Sequence, residues 1–279
     1  MPPETEALPE LARGAAPPAR ATAPRNRAGW TAFILPVAVL VLLEAAARLG
    51  WVSAHLLPPP SEVARALASF GPAALAGHVL ASSARVASGF AIGAALGVAA
   101  GALVGLSRRS EIIVDPSFQA LRAIPSLAWV PLLLLWLGID EAPKIVLIAI
   151  GAFFPVYMGV SSGFRDVDRK LVEVARLYGL GGVALVRRVL LPAALPAVLT
   201  GLRNGLGLAW MFMVAAELIA ATNGLGYLLT DGRETGRADI VLAAIALLAL
   251  LGKISDACMR SLETRLLAWR DSFDAGGPA

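Results

Sequence analysis

The sequence predicts an all-α integral membrane protein with six transmembrane helices, and three observations carry that prediction. Of 279 residues, 57% are hydrophobic and 16% charged, with a mean hydropathy of +0.72; soluble domains run nearer ~45–50% apolar and ~25% charged. From Trp30 onward the apolar residues gather into six runs, each close to the ~20 residues a helix needs to cross ~30 Å of hydrocarbon. None of the runs alternates strictly, as a barrel strand does. Lipid tolerates no unpaired backbone group, so each run is read as a helix and no strand is expected.

Residues 1–29 stand apart. They are rich in Pro, Ala and charge without apolar periodicity, the composition of a disordered tail. Glu4, Glu6 and Glu10 occupy the place where a signal peptide carries basic residues. The first span is expected at 31–50, within a segment 30–57. Residues 58–83 are less apolar and are broken at Gly71–Pro72, which predicts short amphipathic or interfacial helices. The second span, 85–106, carries Gly89, Gly93, Gly97, Gly101 and Gly105 at every fourth position. Such a stripe lets helices approach closely in lipid. The third, 118–138, holds Pro125 and Pro131 and is expected to kink or break. The fourth, fifth and sixth fall at 143–163, 193–221 and 238–257, and 259–279 form a C-terminal tail.

The basic residues orient these spans. With the N-terminus inside, the tail (Arg13, Arg20, Arg25, Arg27), the segment after the second span (Arg108, Arg109, Arg122), the loop after the fourth (Arg165, Arg169, Lys170, Arg176, Arg187, Arg188) and the C-terminal end (Lys253, Arg260, Arg265, Arg270) are cytoplasmic. Arg48, Arg65, Arg85, Lys144, Arg233 and Arg237 remain outside, and Arg203 lies within a span. This bias places both termini in the cytoplasm. It also accounts for the net charge of +4 without a nucleic-acid partner. Cys258 is the single cysteine, so neither an intramolecular disulfide nor a cysteine-based metal cluster is expected. His55 and His78 lie apart with no acidic cluster beside them, and no metal site or catalytic triad is expected.

The loop between the fourth and fifth spans carries the functional signal. In RDVDRKLVEVARLYGLGGVALVRRVLLPAALP, Asp166 and Asp168 suit a helix start, while Leu171, Val174, Ala175 and Tyr178 share one helical face. Gly179 supplies a left-handed stop. Gly181–Gly182 loosen the chain before a second short basic helix, and Pro192 restarts a helix at the membrane. Alone, such a helix–turn–helix could simply cover the end of the bundle.

Glu173, Ala175, Gly179, Val189, Leu191 and Pro192 stand at the spacing of the "EAA" motif. Here the chain resembles the membrane (permease) subunits of bacterial binding-protein-dependent ABC importers, with Val174 in place of the usual first alanine. LRAIPSLAWVPLLLLWLGIDEAPKI (121–145), AELIAATNGLGYLL (216–229), LLGKISD (250–256) and LETRLLAWR (262–270) resemble its sulfonate/taurine/nitrate group, nearest the aliphatic sulfonate permeases. The resemblance implies a type I importer bundle at 74–258 with its ATPase-coupling loop at 165–192. It implies a homodimer served by two ABC ATPase subunits and an extracytoplasmic substrate-binding protein in the cytoplasmic membrane. It also implies a small organic anion as substrate, an aliphatic sulfonate first and taurine or nitrate next.

No G-x-x-x-x-G-K-[ST] occurs, because Gly252–Lys253 is followed by Ile254. No phosphate cradle is therefore expected in this chain, and ATP and Mg belong to the partner ATPase. A secondary transporter is disfavoured, since no inverted repeat is evident. Charged residues at membrane depth are functional candidates. Glu44 is expected to pair with Arg48 one turn on, and Arg203 to snorkel toward the cytoplasmic surface. Glu217 either lines the translocation path or gate or satisfies neighbouring helices. Trp210, Met211 and Met213 are read as core packing.

Overall fold

The computed structural model describes residues 28–53 and 56–269. The expectations for residues 1–27, for His55 and for 270–279 lie outside the described residues. Among the described residues every regular element is helical. In order they are α1 (Ala28–Arg48), α2 (Pro60–Ser69), α3 (Pro72–Leu106), α4 (Arg108–Ala123), a 3-10 turn (Ser126–Trp129), α5 (Val130–Leu137) and α6 (Glu141–Arg165). Then follow α7 (Arg169–Leu177), α8 (Gly182–Leu185), a π turn (Val186–Leu190), α9 (Leu191–Ala220), α10 (Leu225–Glu234) and α11 (Ala238–Leu266). The chain divides into two units, one holding α1 up to Leu42 and the other Leu43–Asp271.

Four stretches are each long and apolar enough to cross a membrane: α3, α6, Gly182–Ile219 and α11. The broken pair α4 and Ser126–Leu137, bent by 85°, makes a fifth if taken as one span. α1 adds 21 residues, about 31 Å of helix at 1.5 Å per residue.

Several boundaries differ from expectation for physical reasons. Residues 72–83 are not separate interfacial helices but the first turns of α3, a continuous 35-residue helix of about 52 Å. The break does fall at Gly71–Pro72: Gly71 has φ +70° and Pro72 opens the helix, where its missing N–H is harmless. The third span starts ten residues early, at Arg108, because Ser107 caps α4 by accepting the Ser110 N–H. It then breaks at Pro125, and Pro131 sits in the first turn of α5. Pro192 does not restart a helix. Gly182–Ile219 runs on through the π turn, where the Leu191 N–H donates to Val186 O, five residues back. The wider turn absorbs the hydrogen bond that Pro192 cannot give.

α6 is the central helix, with α3 against one side and α9 against another. Its Leu147, Ile148, Ala152, Val156 and Val160 are buried among Val86, Ala94, Ala209, Phe212 and Met213. The α3 glycine stripe lies along this seam. A Cβ on Gly89 would come 2.6 Å from Ile148 Cβ, on Gly97 2.9 Å from Phe153 O, on Gly101 2.8 Å from Tyr157 O and on Gly105 2.8 Å from Phe164 Cβ. The second seam uses glycine from both sides, since a Cβ on Gly159 would lie 2.7 Å from Gly201 Cα. Close backbone approach replaces the hydrophobic drive that lipid removes. Large apolar side chains elsewhere, such as Leu96, Leu103 and Leu250, face outward.

Candidate functional site

The loop 166–192 begins as the residues dictate. Asp168 Oδ1 accepts the Lys170 N–H at 2.9 Å and caps α7, whereas Asp166 closes α6 by donating its N–H to Ser162 O. α7 then ends in a Schellman turn. The Leu180 N–H reaches Ala175 O at 3.0 Å and the Gly179 N–H reaches Arg176 O at 2.9 Å. Gly179 has φ +76°, a conformation that costs an L side chain about 1–2 kcal/mol.

Of the expected apolar face only Ala175 is buried; Leu171, Val174 and Tyr178 are open, as is Leu177 at 87% exposure. Glu173 is exposed too, and among the described residues it makes no ion pair. Val189 and Pro192 are half-buried and Leu191 is exposed. Glu173 and Ala175 thus stand on a short helix, closed by Gly179, that offers an apolar surface uncovered among the described residues.

At the opposite end of the bundle the polar groups are enclosed. Glu217 is 1% exposed. It accepts from Ser82 Oγ at 2.8 Å, from an Arg85 terminal nitrogen at 2.7 Å and from the Gly226 N–H at 2.7 Å. Ser82 Oγ accepts the Leu225 N–H and His78 Nδ1 the Gly224 N–H. Side chains of α3 and α9 therefore satisfy the free N–H groups that open α10, and the carboxylate sits at the positive end of that helix. Gly224 (φ +119°) and Gly226 abut the Glu217 side chain, leaving no room for a Cβ.

Arg85 and Lys144, expected on the outer side, are buried. Glu141 binds both, with Arg85 Nε at 2.6 Å and Lys144 Nζ at 2.9 Å. Spacings of 56 and 132 residues separate Arg85 from its carboxylates, so no local pattern could have announced the cluster.

A cleft of about 910 Å3 opens between α4, α6 and α9. Asp115, Phe118, Gln119 and Arg122 line it from α4, Phe154, Met158, Ser162 and Arg165 from α6, and Thr200, Asn204, Leu208 and Met211 from α9. Met211 is thus a wall of the cleft rather than core packing, being 56% exposed, while Met213 is fully buried. Trp210 donates to Ser255 Oγ on α11 at 2.9 Å. Tyr157 donates to Asp115 Oδ1, and Arg165 joins α6 to α4 through Glu111 at 2.9 Å and Asp115 at 3.7 Å.

The expected start at 118 leaves Asp115 outside the span, and Arg122, although inside it, is read there as a cytoplasmic charge. With α4 beginning at Arg108, both lie on the helix that lines the cleft, where a charged group is a candidate for function.

Glu44 and Arg203 also find partners. Glu44 pairs with Arg48 at 2.7 Å as expected, and also accepts the Ser61 N–H and Oγ, thereby capping α2. Arg203 is held by Asp256 on α11, Nε to Oδ1 at 2.6 Å, with Glu263 on the same helix at 3.9 Å.

Comparison with known proteins bears on these features together. The family described as "Binding-protein-dependent transport system inner membrane component" matches residues 93–268, which includes α7, the Schellman turn and the cleft. A protein of Bacillus subtilis (strain 168) named as an aliphatic sulfonates transport permease, SsuC, is 43% identical over 254 residues, 90% of this chain and 91% of that protein. The taurine transport system permease protein TauC of Escherichia coli (strain K12) is 38% identical over 229 residues, 80% of this chain and 83% of TauC. A chain from the inward-facing MetNI methionine ABC transporter is 21% identical but superposes with a TM-score of 0.57, over 69% of this chain and 96% of that one; the fold is that of an ABC importer permease. The chain belongs to the family of binding-protein-dependent transport system inner membrane components, the multi-pass permeases of ABC transporters.

Proposed function

We propose that this chain, with α1 as its sixth span, forms the homodimeric permease core of an ATP-driven importer. It admits a small organosulfonate anion, with two ATPase subunits on the cytoplasmic side and an extracytoplasmic binding protein opposite. The distribution of basic residues supports termini in the cytoplasm. ATP and Mg are held by the ATPase chains. The single observation that carries this reading is the α7 surface: Glu173 beside uncovered Leu171, Val174, Leu177 and Tyr178, ended by a Gly179 turn.

When the ATPase pair closes, the two α7 helices move together. Leu185 is buried in the segment after α7, and the unbroken helix 182–219 passes the displacement to α9, which lines the cleft. The network around Arg85, Glu141 and Glu217 gives the other end a rigid brace, and Glu217 contributes to gating by holding α10 on α3 and α9.

Gly179→Val is expected to insert normally yet lower uptake on the order of tenfold, the ~1–2 kcal/mol of a strained left-handed turn, and Glu173→Lys to lower it by reversing the charge of the α7 surface, while ATP hydrolysis by the complex continues. Transport by both variants at the wild-type rate removes α7 from the coupling role. Sulfonate is supported by the name of the SsuC relative, and TauC makes taurine the second reading. Uptake of labelled alkanesulfonate in competition with taurine and nitrate decides between them.

A further inference from the structure

Arg122 is the charge in the cleft that nothing in the fold explains. It lies fourteen residues along α4 from Arg108, about 21 Å of helix, and just before the break at Pro125. Its neighbour in the cleft, Arg165, is already neutralised by Glu111 and Asp115. Arg122 has no carboxylate within 4 Å among the described residues, and a terminal nitrogen donates to the Met158 sulfur. Arg122 lines the cleft, and a structural role for it there would come with a counter-ion. Across the cleft, the amide of Asn204 has no hydrogen-bond partner among the described residues either. The same cleft carries apolar lining from Phe154, Leu208 and Met211.

We propose that Arg122 is the anion-contacting residue of a transient substrate station in the cleft, with Asn204 as a second donor and the apolar walls taking the alkyl chain. The proposal rests on the reading of the chain as an organic-anion permease. A sulfonate presents oxygens that accept a guanidinium's paired N–H groups, and its aliphatic tail suits the walls opposite. The cleft greatly exceeds one small anion in volume, so contact is loose. That suits a station that must release its cargo as well as receive it.

The test uses the assembled transporter, permease with its ATPase and binding protein, in proteoliposomes. Wild-type uptake of labelled pentanesulfonate, taurine and nitrate is measured first. If pentanesulfonate is not carried, the sulfonate reading fails, and the Arg122 arm proceeds with whichever anion is. Arg122→Gln is expected to lower uptake of that anion about tenfold or more, the loss of one charge-assisted hydrogen bond, with Arg122→Lys retaining an intermediate rate. Cys258 is replaced by serine so that Arg122→Cys offers a unique thiol on this chain, modified after assembly. A cationic aminoethyl methanethiosulfonate is expected to restore uptake severalfold, whereas an anionic sulfonatoethyl reagent is not. Wild-type uptake by Arg122→Gln, or equal rescue by both reagents, overturns the proposal.

Discussion

Replacing Arg85 with methionine is expected to destabilise the folded chain by about 3–5 kcal/mol, the cost of removing one member of a buried ion cluster. All five guanidinium N–H groups are used: two on Glu141, one on Glu217, one on Asn223 O and one on Asn223 Oδ1. Methionine matches the stem of the side chain but leaves the buried Glu217 carboxylate without its cation. Glu141, being half-exposed, can recover water and matters less. Arg85→Lys keeps the charge on one nitrogen and cannot span both carboxylates, so its loss is intermediate. Arg85→Met combined with Glu217→Gln is expected to recover more than half of the single variant's deficit, because no uncompensated charge remains. Unfolding titrations in mixed micelles close this double-mutant cycle. An Arg85→Met protein within 1 kcal/mol of the parent sinks the assignment of Arg85 as the brace between α3, α6 and α9.

The same cluster shows why some of this protein was legible in its sequence and some was not. The long apolar runs gave α6, α9 and α11 to within a few residues at most ends, because lipid imposes a length and a composition that need no tertiary knowledge. The α7 turn was legible for a local reason: its hydrogen bonds join residues three and five apart, so Gly179 had to stand where it does. The start of α3 was hidden because its first turns carry His78, Ser82 and Arg85. These look interfacial but are polar in order to serve α10 and Glu217, which lie more than 130 residues away. Ser107 as a cap, the π turn before Pro192 and the Arg203–Asp256 pair likewise depend on partners or register that periodicity does not encode. Met211 was misread because an apolar residue on a span fits either a core or the wall of a cleft, and only the position of α4 separates the two.

The α3–α6 seam leaves no room for an added side chain, and replacing Gly97 with leucine is expected to affect the molecule about as strongly as losing Arg85. A Cβ there would stand 2.9 Å from Phe153 O, 3.0 Å from Val156 Cβ and 3.1 Å from Tyr157 N. Two of these atoms belong to the α6 backbone and cannot rotate away, so the helices themselves must separate. Gly97→Ala is expected to cost about 1–3 kcal/mol as overpacking. Gly97→Leu is expected to cost more, because parting the seam also loosens the contacts at Gly93 and Gly101. Gly77 supplies the contrast on the same helix, since a Cβ there meets nothing within 4 Å. Gly77→Ala is therefore expected to be neutral or to stabilise by up to about 1 kcal/mol, through reduced freedom of the unfolded chain and better helix propensity. The two alanine variants add the same methyl group to one helix, so a difference in sign isolates close packing from propensity. Thermal survival of the purified protein in detergent reads both, and equal behaviour of Gly97→Ala and Gly77→Ala would show that the glycine stripe is not what holds α3 against α6.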